Sequence, residues 1–362
     1  MHGRFFRNSL TGVLINLVVV SVAFAVSEPP PTGLTAFSPT DVHVTSMGRF
    51  ASEADGSVRF GYPGVTFSFN FSGKQLSVDA GSTSDKSFLE VTVDGRKPRA
   101  IRLSRSLRTC SIINAIVARQ HHVEIMHRTE TWIGIATIKQ FLTDGKLLEP
   151  TPLPRRKILV LGDSVTCGEA INRVPGETEN SKWWDPRHSY GMRLAKSLGA
   201  QVQLVCMGGH GLIRTWEGKT DELNLPDFYQ LAIADQQHPV HWDQAQYDPD
   251  LIISAIGTND FTKGIPDKET YVNAYAKFLS TLLSDHRHAQ IVVTEGAILN
   301  DDKKAAIMDY IDESIRGVGD ARLHHAVTTH FPGDKINAHP TRKQHASMAA
   351  ELLRQVRKIM NW

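Results

Sequence analysis

Four short segments of the sequence contain the residue types that serine enzymes use for acyl transfer. They are Gly162-Asp163-Ser164, Gly208-Gly209-His210-Gly211, Gly257-Thr258-Asn259-Asp260 and Asn337-Ala338-His339-Pro340. A serine hydroxyl attacks a carbonyl carbon effectively only when a base removes its proton, and histidine is the side chain whose pKa suits that task. We therefore predict that Ser164 is a nucleophile and that His339 is its general base.

The oxygen that becomes negatively charged during acyl transfer needs hydrogen-bond donors already in place. We predict three donors for this oxyanion hole: the backbone N–H of Gly209, the side-chain NH₂ of Asn259 and the backbone N–H of Ser164. Taken singly, each segment has a simpler explanation, since Gly-Asp-Ser often caps a helix, Gly-Thr-Asn-Asp often forms a turn and His-Pro often precedes a helix. The presence of all four in one chain favours a catalytic site.

The second half of the sequence predicts the elements that would bring these segments together. Apolar strands are predicted at 157–162, 201–207, 251–257, 289–296 and 322–328, and helices at 189–198, 268–285, 305–316 and 341–360. Apolar strands that alternate with amphipathic helices indicate a parallel sheet covered on both faces. In such sheets ligands bind beyond the carboxyl ends of the strands, where the first three segments would lie side by side.

Residues 37–150 instead predict β structure. Thr66–Phe71 alternates polar and apolar residues, as does Leu89–Val93 before the hairpin signal Asp94-Gly95. The apolar residues Ile133 and Ile135 alternate in the same way and predict a further strand. Many short strands with glycine-rich turns are typical of a β-sandwich or jelly roll. Three prolines between Pro150 and Pro154 predict the boundary between two domains, the second spanning 155–362.

The N-terminus predicts export. Residues 1–25 carry Arg4 and Arg7, an apolar run of about 13 residues and a final Ala-Phe-Ala, which is the pattern of a cleaved signal peptide rather than of a membrane span. A proline-rich linker is predicted at 26–36. The chain has 40 Lys and Arg against 38 Asp and Glu, and Arg4 and Arg7 account for the whole excess. That balance argues against a nucleic-acid-binding protein.

The four segments resemble the SGNH, or GDSL-type, hydrolases, in which Ser, Gly, Asn and His occur in this order on a flavodoxin-like sheet. With a β domain ahead of them, and with Gly-Asp-Ser-Val-Thr-Cys-Gly at 162–168, they are similar to carbohydrate esterase family 2. The resemblance implies a three-layer α/β domain with a central parallel five-stranded sheet, preceded by a jelly roll. It also implies removal of acetyl groups from plant polysaccharides such as xylan and glucomannan. We expect a monomer that uses no cofactor or metal and binds neither nucleic acid nor membranes.

The sequence departs from the superfamily pattern beside His339. The aspartate that usually orients the histidine is absent, because Ile336 and Asn337 occupy the two positions where it is found. We expect a Ser–His dyad whose imidazole is held by backbone carbonyls, with Asp334 as the rival orienting group. Asn337 cannot stabilise an imidazolium by charge.

A second departure concerns sugar binding. Ala338 stands where relatives often have an aromatic residue that stacks on the sugar. Trp216 is therefore the first candidate for substrate binding, followed by Trp184 and Phe261. The alternative for each is an ordinary aromatic of the core or the surface.

Three questions stay open at the level of sequence. A lipid-directed SGNH esterase, such as a secreted lysophospholipase, and a non-catalytic carbohydrate-binding protein are the alternative functions. Cys167 and Cys206 flank the nucleophile and oxyanion segments. They form either a disulfide, in an oxidising compartment, or two buried thiols.

Overall fold

A computed structural model describes residues 33–362. The predicted signal peptide and residues 26–32 of the predicted linker lie outside the described residues. The last residues of that linker overlap a strand that begins at Thr35. No helix in residues 33–362 is long and apolar enough to cross a membrane.

The N-terminal domain is built from antiparallel strands. Their bounds are β1 Thr35–Phe37, β2 Thr45–Met47, β3 Ala51–Ser52, β4 Val58–Phe60, β5 Thr66–Ser82, β6 Phe88–Val93, β7 Arg99–Arg102, β8 Arg108–His127, β9 Ala136–Thr143 and β10 Lys146–Leu148. The main strand order is β3-β4-β9-β5-β8-β6-β7, while β1 pairs with β9 and both β2 and β10 pair with β5.

The long strand β5 shows how alternating sequence produces this domain. Phe67, Phe69 and Phe71 are fully buried, whereas the intervening Ser68 and Asn70 are half-buried. β8 pairs with β5 from Thr66 to Ala80, with a shift in register after Gly73. The other edge of β5 pairs first with β2 and β10 and then with β9, so this one strand connects most of the domain.

The strand predicted around Ile133 and Ile135 is wrong. Residues 131–133 form a turn, and β9 begins only at Ala136. The N–H groups of Ile133 and Gly134 both donate to the carbonyl oxygen of Glu130, which closes the turn. The apolar alternation there reflects a buried loop between the two domains rather than a strand.

The C-terminal domain has a five-stranded parallel sheet. Its strands are β11 Arg156–Gly162, β12 Ala200–Cys206, β15 Leu251–Ala255, β16 Gln290–Thr294 and β17 Leu323–His325, in the order β12-β11-β15-β16-β17, and β13 Leu231–Ile233 with β14 Val240–His241 form a separate hairpin. The helices are α1 Ser164–Cys167, α2 Tyr190–Leu198, α3 Leu225–Phe228, α4 Lys268–Asp285, α5 Asp301–Val318 and α6 Arg342–Met360.

The two faces of this sheet are covered by different helix pairs. On β11, Ile158 and Val160 share a core with α2 and α6. Their neighbours Leu159 and Leu161 share a core with α4 and α5, and that core continues into the N-terminal domain. The predicted fold class, a three-layer α/β domain preceded by an all-β domain, is confirmed.

Candidate active site

Ser164 lies at the first position of α1, two residues after strand β11 ends at Gly162. The carboxylate of Asp163 caps this short helix by accepting a hydrogen bond of 3.0 Å from the N–H of Val165. Burial raises the pKa of Asp163 to about 7. The tight turn from strand to helix holds the Ser164 hydroxyl at the carboxyl edge of the sheet.

The structure brings His339 to Ser164. The Nε2 atom of His339 lies 2.8 Å from the Oγ of Ser164, although 175 residues separate them in sequence. The guanidinium of Arg173 anchors the histidine loop by donating to the backbone oxygens of Asn337, His339 and Pro340. Burial, together with the positive charge of Arg173, lowers the pKa of His339 to about 4. The imidazole is therefore neutral, and able to accept a proton, at ordinary pH.

The other imidazole nitrogen is held by a side chain rather than by the expected backbone carbonyls. The Oδ1 atom of Asn337 lies 2.8 Å from His339 Nδ1 and also accepts the backbone N–H of His339 at 2.9 Å. Asp334 does not orient the ring, since its carboxylate accepts the N–H groups of Ile336 and Asn337 and pairs with Arg173 at 3.0 Å. Asn337 is thus the group that fixes which nitrogen carries the proton.

Two of the three predicted oxyanion donors, Gly209 and Asn259, lie on loops that are joined by hydrogen bonds. The side-chain NH₂ of Asn259 donates to the carbonyl oxygen of His210 at 2.8 Å. The next residue, Asp260, accepts the N–H groups of Leu212 and Ile213, each at 2.8 Å. The asparagine segment therefore sets the shape of the loop that carries Gly209.

Gly209 has a structural reason to be glycine. Its φ of +80° lies in the left-handed region, and a Cβ there would approach Cδ1 of Trp216 to 2.8 Å. Within residues 33–362, the backbone N–H groups of Ser164 and Gly209 donate to no protein acceptor. Both donors are therefore available to a ligand.

Cys167 and Cys206 form a disulfide, with their Cα atoms 5.7 Å apart. The bond joins α1, which begins with Ser164, to the end of β12, just ahead of Gly208-Gly209. It connects the nucleophile segment covalently to the oxyanion segment. The question that the sequence left open is thereby answered in favour of the disulfide.

A cleft of about 1210 Å³ is lined by both domains and includes Glu169 and Met207, whereas Ser164, Gly209, Asn259 and His339 are not among its lining residues. Trp216 is 53% exposed and packs on Gly209, which leaves its ring accessible. Trp184 and Phe261 are 3% and 0% exposed, so neither offers a ring face to a sugar. Trp132, which is 56% exposed and lines the cleft, was not among the predicted substrate-binding residues. The sequence pattern had placed it in a strand, where an exposed binding residue was not expected.

The sequence analysis also missed three glutamates around the site. Glu130 is 1% exposed and accepts the N–H of Gly208 at 2.6 Å and the indole N–H groups of Trp184 and Trp132 at 2.6 and 3.1 Å. Glu169 Oε2 lies 3.8 Å from His339 Nε2, and Glu179 accepts an N–H of Asn337 at 2.9 Å. Burial, followed by the charges of Glu130 and Glu179, raises the pKa of Glu169 well above its usual range.

Glu130 belongs to the N-terminal domain, whereas Glu169 and Glu179 lie in the connection that follows α1. No sequence motif marked the three as a group. In residues 33–362 no set of three or more His, Cys, Asp or Glu side chains is arranged to hold a metal ion.

A serine after the first strand of the parallel sheet, a glycine and an asparagine after the next two, and a histidine before the last helix are the arrangement expected of a GDSL-type hydrolase domain. Residues 160–355 match the family described as "GDSL-like Lipase/Acylhydrolase family", and residues 46–152 match "Carbohydrate esterase 2 N-terminal". The chain belongs to carbohydrate esterase family 2.

Individual relatives agree with this assignment. The chain is 52% identical, over 89% of its length and 90% of the relative's, to the "Acetylxylan esterase / glucomannan deacetylase" of Cellvibrio japonicus strain Ueda107. It superimposes with a TM-score of 0.90 on the "Structure of a family two carbohydrate esterase from Cellvibrio japonicus", at 50% identity and covering 91% and 98% of the two chains. A family two esterase from Clostridium thermocellum, solved with cellohexaose, shares the fold with a TM-score of 0.81 at 24% identity, covering 88% and 99%.

Proposed function

We propose that this chain is an exported serine esterase that removes O-acetyl groups from acetylated xylan and glucomannan through an acetyl-serine intermediate. The observation that carries the proposal is the 2.8 Å contact between Ser164 Oγ and His339 Nε2. The Cellvibrio relative at 52% identity, which is named for these two substrates, supports the choice of polysaccharide.

The first half of the reaction forms the acetyl-enzyme. Neutral His339 removes the Ser164 proton through Nε2 while the serine oxygen attacks the acetyl carbonyl carbon. The backbone N–H groups of Ser164 and Gly209 and the side-chain NH₂ of Asn259 donate to the resulting oxyanion. The bond between the carbonyl carbon and the sugar oxygen then breaks, and His339 gives its proton to that oxygen.

The second half releases acetate. A water molecule takes the place of the departed sugar and loses a proton to His339 as it attacks the acetyl-serine carbon. Collapse of this second tetrahedral intermediate breaks the bond to Ser164, which recovers its proton from His339. The cleft that both domains line would accommodate the polysaccharide. Two exposed aromatic rings would contact it: Trp132, which lines the cleft, and Trp216, which packs on Gly209.

Two features support export. The N-terminal 25 residues have the composition of a signal peptide. The Cys167–Cys206 disulfide suits an oxidising compartment outside the cytosol.

The test is acetate release from acetylated xylan and acetylated glucomannan by the wild type and by Ser164→Ala. We expect Ser164→Ala to lose activity by roughly 10³-fold or more. Ser280→Ala is the matched control, because Ser280 is exposed on α4 and its hydroxyl contacts only a carbonyl of its own helix. Near-wild-type turnover by Ser164→Ala would refute the proposal. Turnover of octanoyl esters in preference to acetyl esters would favour the lipid-directed alternative. Polysaccharide binding without any turnover would favour the non-catalytic carbohydrate-binding alternative.

A further inference from the structure

The proposed catalytic pair lacks the negative charge that usually accompanies it. During acyl transfer His339 becomes an imidazolium, and an adjacent carboxylate normally stabilises that cation through Nδ1. Asn337 occupies the carboxylate's place and is neutral. Its amide can also rotate by half a turn, which would turn an NH₂ group toward the two N–H donors of His339.

Glu179 lies on the far side of the same amide. Its Oε2 atom accepts the Nδ2–H of Asn337 at 2.9 Å, while Asn337 Oδ1 accepts both N–H donors of His339. Because a carboxylate only accepts hydrogen bonds and the two N–H groups of His339 only donate, one orientation of the Asn337 amide satisfies all of them.

We propose that Glu179 is a positioning residue of the esterase: it fixes the Asn337 amide and transmits a negative charge through that amide to His339. The chain of contacts runs from Glu179 to Asn337, then to His339 Nδ1, and from His339 Nε2 to Ser164. This inference rests on the proposed serine mechanism. Glu179 thus supplies the negative charge that Asn337 lacks, and it does so through Asn337 rather than by direct contact with His339.

Four other titratable groups lie near His339. They are Glu169 on the Nε2 side, Arg173 and Asp334 beside the loop, and His345 on α6, whose pKa burial lowers to about 3. The positive charge of Arg173 opposes protonation of His339, which increases the need for a negative charge near the ring. Burial raises the pKa of Glu169 well above its usual range, and a hydrogen bond with Glu179 acts in the same direction. Burial thus disfavours a charged Glu169 on the Nε2 side. Glu179 is exposed and lies on the Nδ1 side of the ring, where a negative charge stabilises an imidazolium.

The first experiment compares Glu179→Gln with Glu177→Gln. Both glutamates are exposed on the same loop and both changes remove one charge, but only Glu179 contacts Asn337. We expect Glu179→Gln to lower kcat on an acetyl ester by about three- to tenfold with little change in KM, since one charged hydrogen bond is weakened. Glu177→Gln should match the wild type. An unchanged kcat in Glu179→Gln would overturn the proposal.

We call the transmission of negative charge from Glu179 through Asn337 to His339 the relay. The second experiment distinguishes this relay from a purely structural role of Glu179. In an Asn337→Asp background the carboxylate next to His339 supplies the charge directly, and Glu179 would face it with repulsion. Adding Glu179→Gln to that background should therefore raise kcat, or at least not lower it. If Glu179→Gln lowered kcat by the same factor in both backgrounds, Glu179 would act independently of the relay, and the proposal would be overturned.

A third measurement does not depend on turnover. NMR titration of His339 should give a lower pKa in Glu179→Gln than in the wild type, because a nearby negative charge favours the protonated ring. Asn337→Asp should move the pKa upward. An unchanged His339 pKa in Glu179→Gln would refute the relay, whatever the outcome for the esterase function. Conversely, loss of esterase activity in Ser164→Ala would support the esterase function, whatever the outcome for the relay.

Discussion

The N-terminal domain places two buried charges of opposite sign against the C-terminal domain. Arg49 follows β2 and is 0% exposed, and Glu130 follows β8 and is 1% exposed. Taking either charge out of water is costly, so each must be offset by well-placed polar partners. The two differ in which part of the C-terminal domain supplies those partners.

Arg49 is held by oxygens far from the proposed catalytic residues. Its guanidinium donates to the backbone oxygens of Tyr229 and Leu231 and to the side-chain oxygens of Gln203 and Gln244. The cation also lies over the Tyr229 and Trp242 rings, at 5.4 and 5.3 Å. Burial lowers its pKa to about 10.

Glu130 is held by N–H groups next to the proposed oxyanion hole. One of its donors is the backbone N–H of Gly208, the residue before Gly209, and the other two are the indole N–H groups of Trp132 and Trp184. Burial raises the pKa of Glu130. Arg128, two residues earlier, donates to the backbone oxygens of Lys182 and Trp184. The loop at 128–132 therefore forms hydrogen bonds to two segments, one at 182–184 and the other at Gly208.

Contact between the domains and support of the proposed active site therefore rest on different residues in this molecule. Both charges join the domains, yet only Glu130 is bonded to a segment that carries a proposed catalytic donor. We therefore expect Arg49 to act on the free energy of unfolding and Glu130 to act on turnover as well.

Glu130→Gln tests the catalytic half of this comparison. The new NH₂ group would face the indole N–H of Trp184 if it replaced Oε1, or the N–H groups of Gly208 and Trp132 if it replaced Oε2. Either way the contacts that Glu130 makes beside the oxyanion loop must rearrange. We expect kcat to fall by about 10²-fold, the scale of a misplacement of about 1 Å in an active site. The measurement is steady-state hydrolysis of an acetyl ester, normalised to the folded fraction from near-ultraviolet circular dichroism.

Glu90→Gln is the matched control for Glu130→Gln. Glu90 is also a buried carboxylate of the N-terminal domain, and it crosses the interface to Arg187 with a 2.5 Å contact away from the oxyanion loop. Its kcat should stay near that of the wild type. Equal losses in the two variants would mean that any charge at the interface matters and that Glu130 has no special position.

Arg49→Met tests the structural half. The substitution keeps much of the apolar stem and removes a donor from four buried or half-buried oxygens, of which the carbonyl of Tyr229 keeps a second donor in Gln244. We therefore expect the free energy of unfolding to fall by about 2 kcal/mol. The kcat of the folded enzyme should remain within about twofold of the wild type, since no partner of Arg49 is a proposed catalytic residue. Urea unfolding gives the first quantity. A kcat loss comparable to that of Glu130→Gln would abolish the distinction between the two contacts.

The sequence predicted the parts of this molecule that depend on local pattern. The apolar strands and amphipathic helices of the C-terminal domain are predictable because their periods report which faces are buried. Strand ends of a parallel sheet converge by geometry, so placing Ser164, Gly209 and Asn259 together required only the strand assignments. The helix predicted at 268–285 coincides with α4.

The remainder of the site depends on contacts between distant segments. Glu130 and Trp132 lie in a turn whose apolar alternation resembles that of a strand, and their partners include the distant residues Trp184 and Gly208. The side-chain contact of Asn337 with His339 depends on a rotamer and on Glu179, 158 residues away. Periodicity carries no information about such pairings.

A pH series provides the last and smallest test of the comparison. His127, at the end of β8, is fully buried between the carbonyl oxygen of Tyr62 and the hydroxyl of Thr129, and burial lowers its pKa to about 4. Below pH 6.5 the unfolded chain binds a proton that the folded chain does not, so the free energy of unfolding falls as the pH drops toward 4. Between pH 6.5 and 5.5 we expect His127 to account for about 1 kcal/mol of that fall.

The pH dependence of activity should have a different origin. His339 also has its pKa lowered to about 4, so kcat/KM should hold down to about that pH and then decline as the base becomes protonated. His127→Asn should flatten the stability curve and leave the acidic limb of kcat/KM in place, whereas the exposed control His238→Asn should change neither. If His127→Asn moved the acidic limb, the N-terminal domain would affect the reaction through groups other than Glu130, and the division between structural and catalytic contacts would fail.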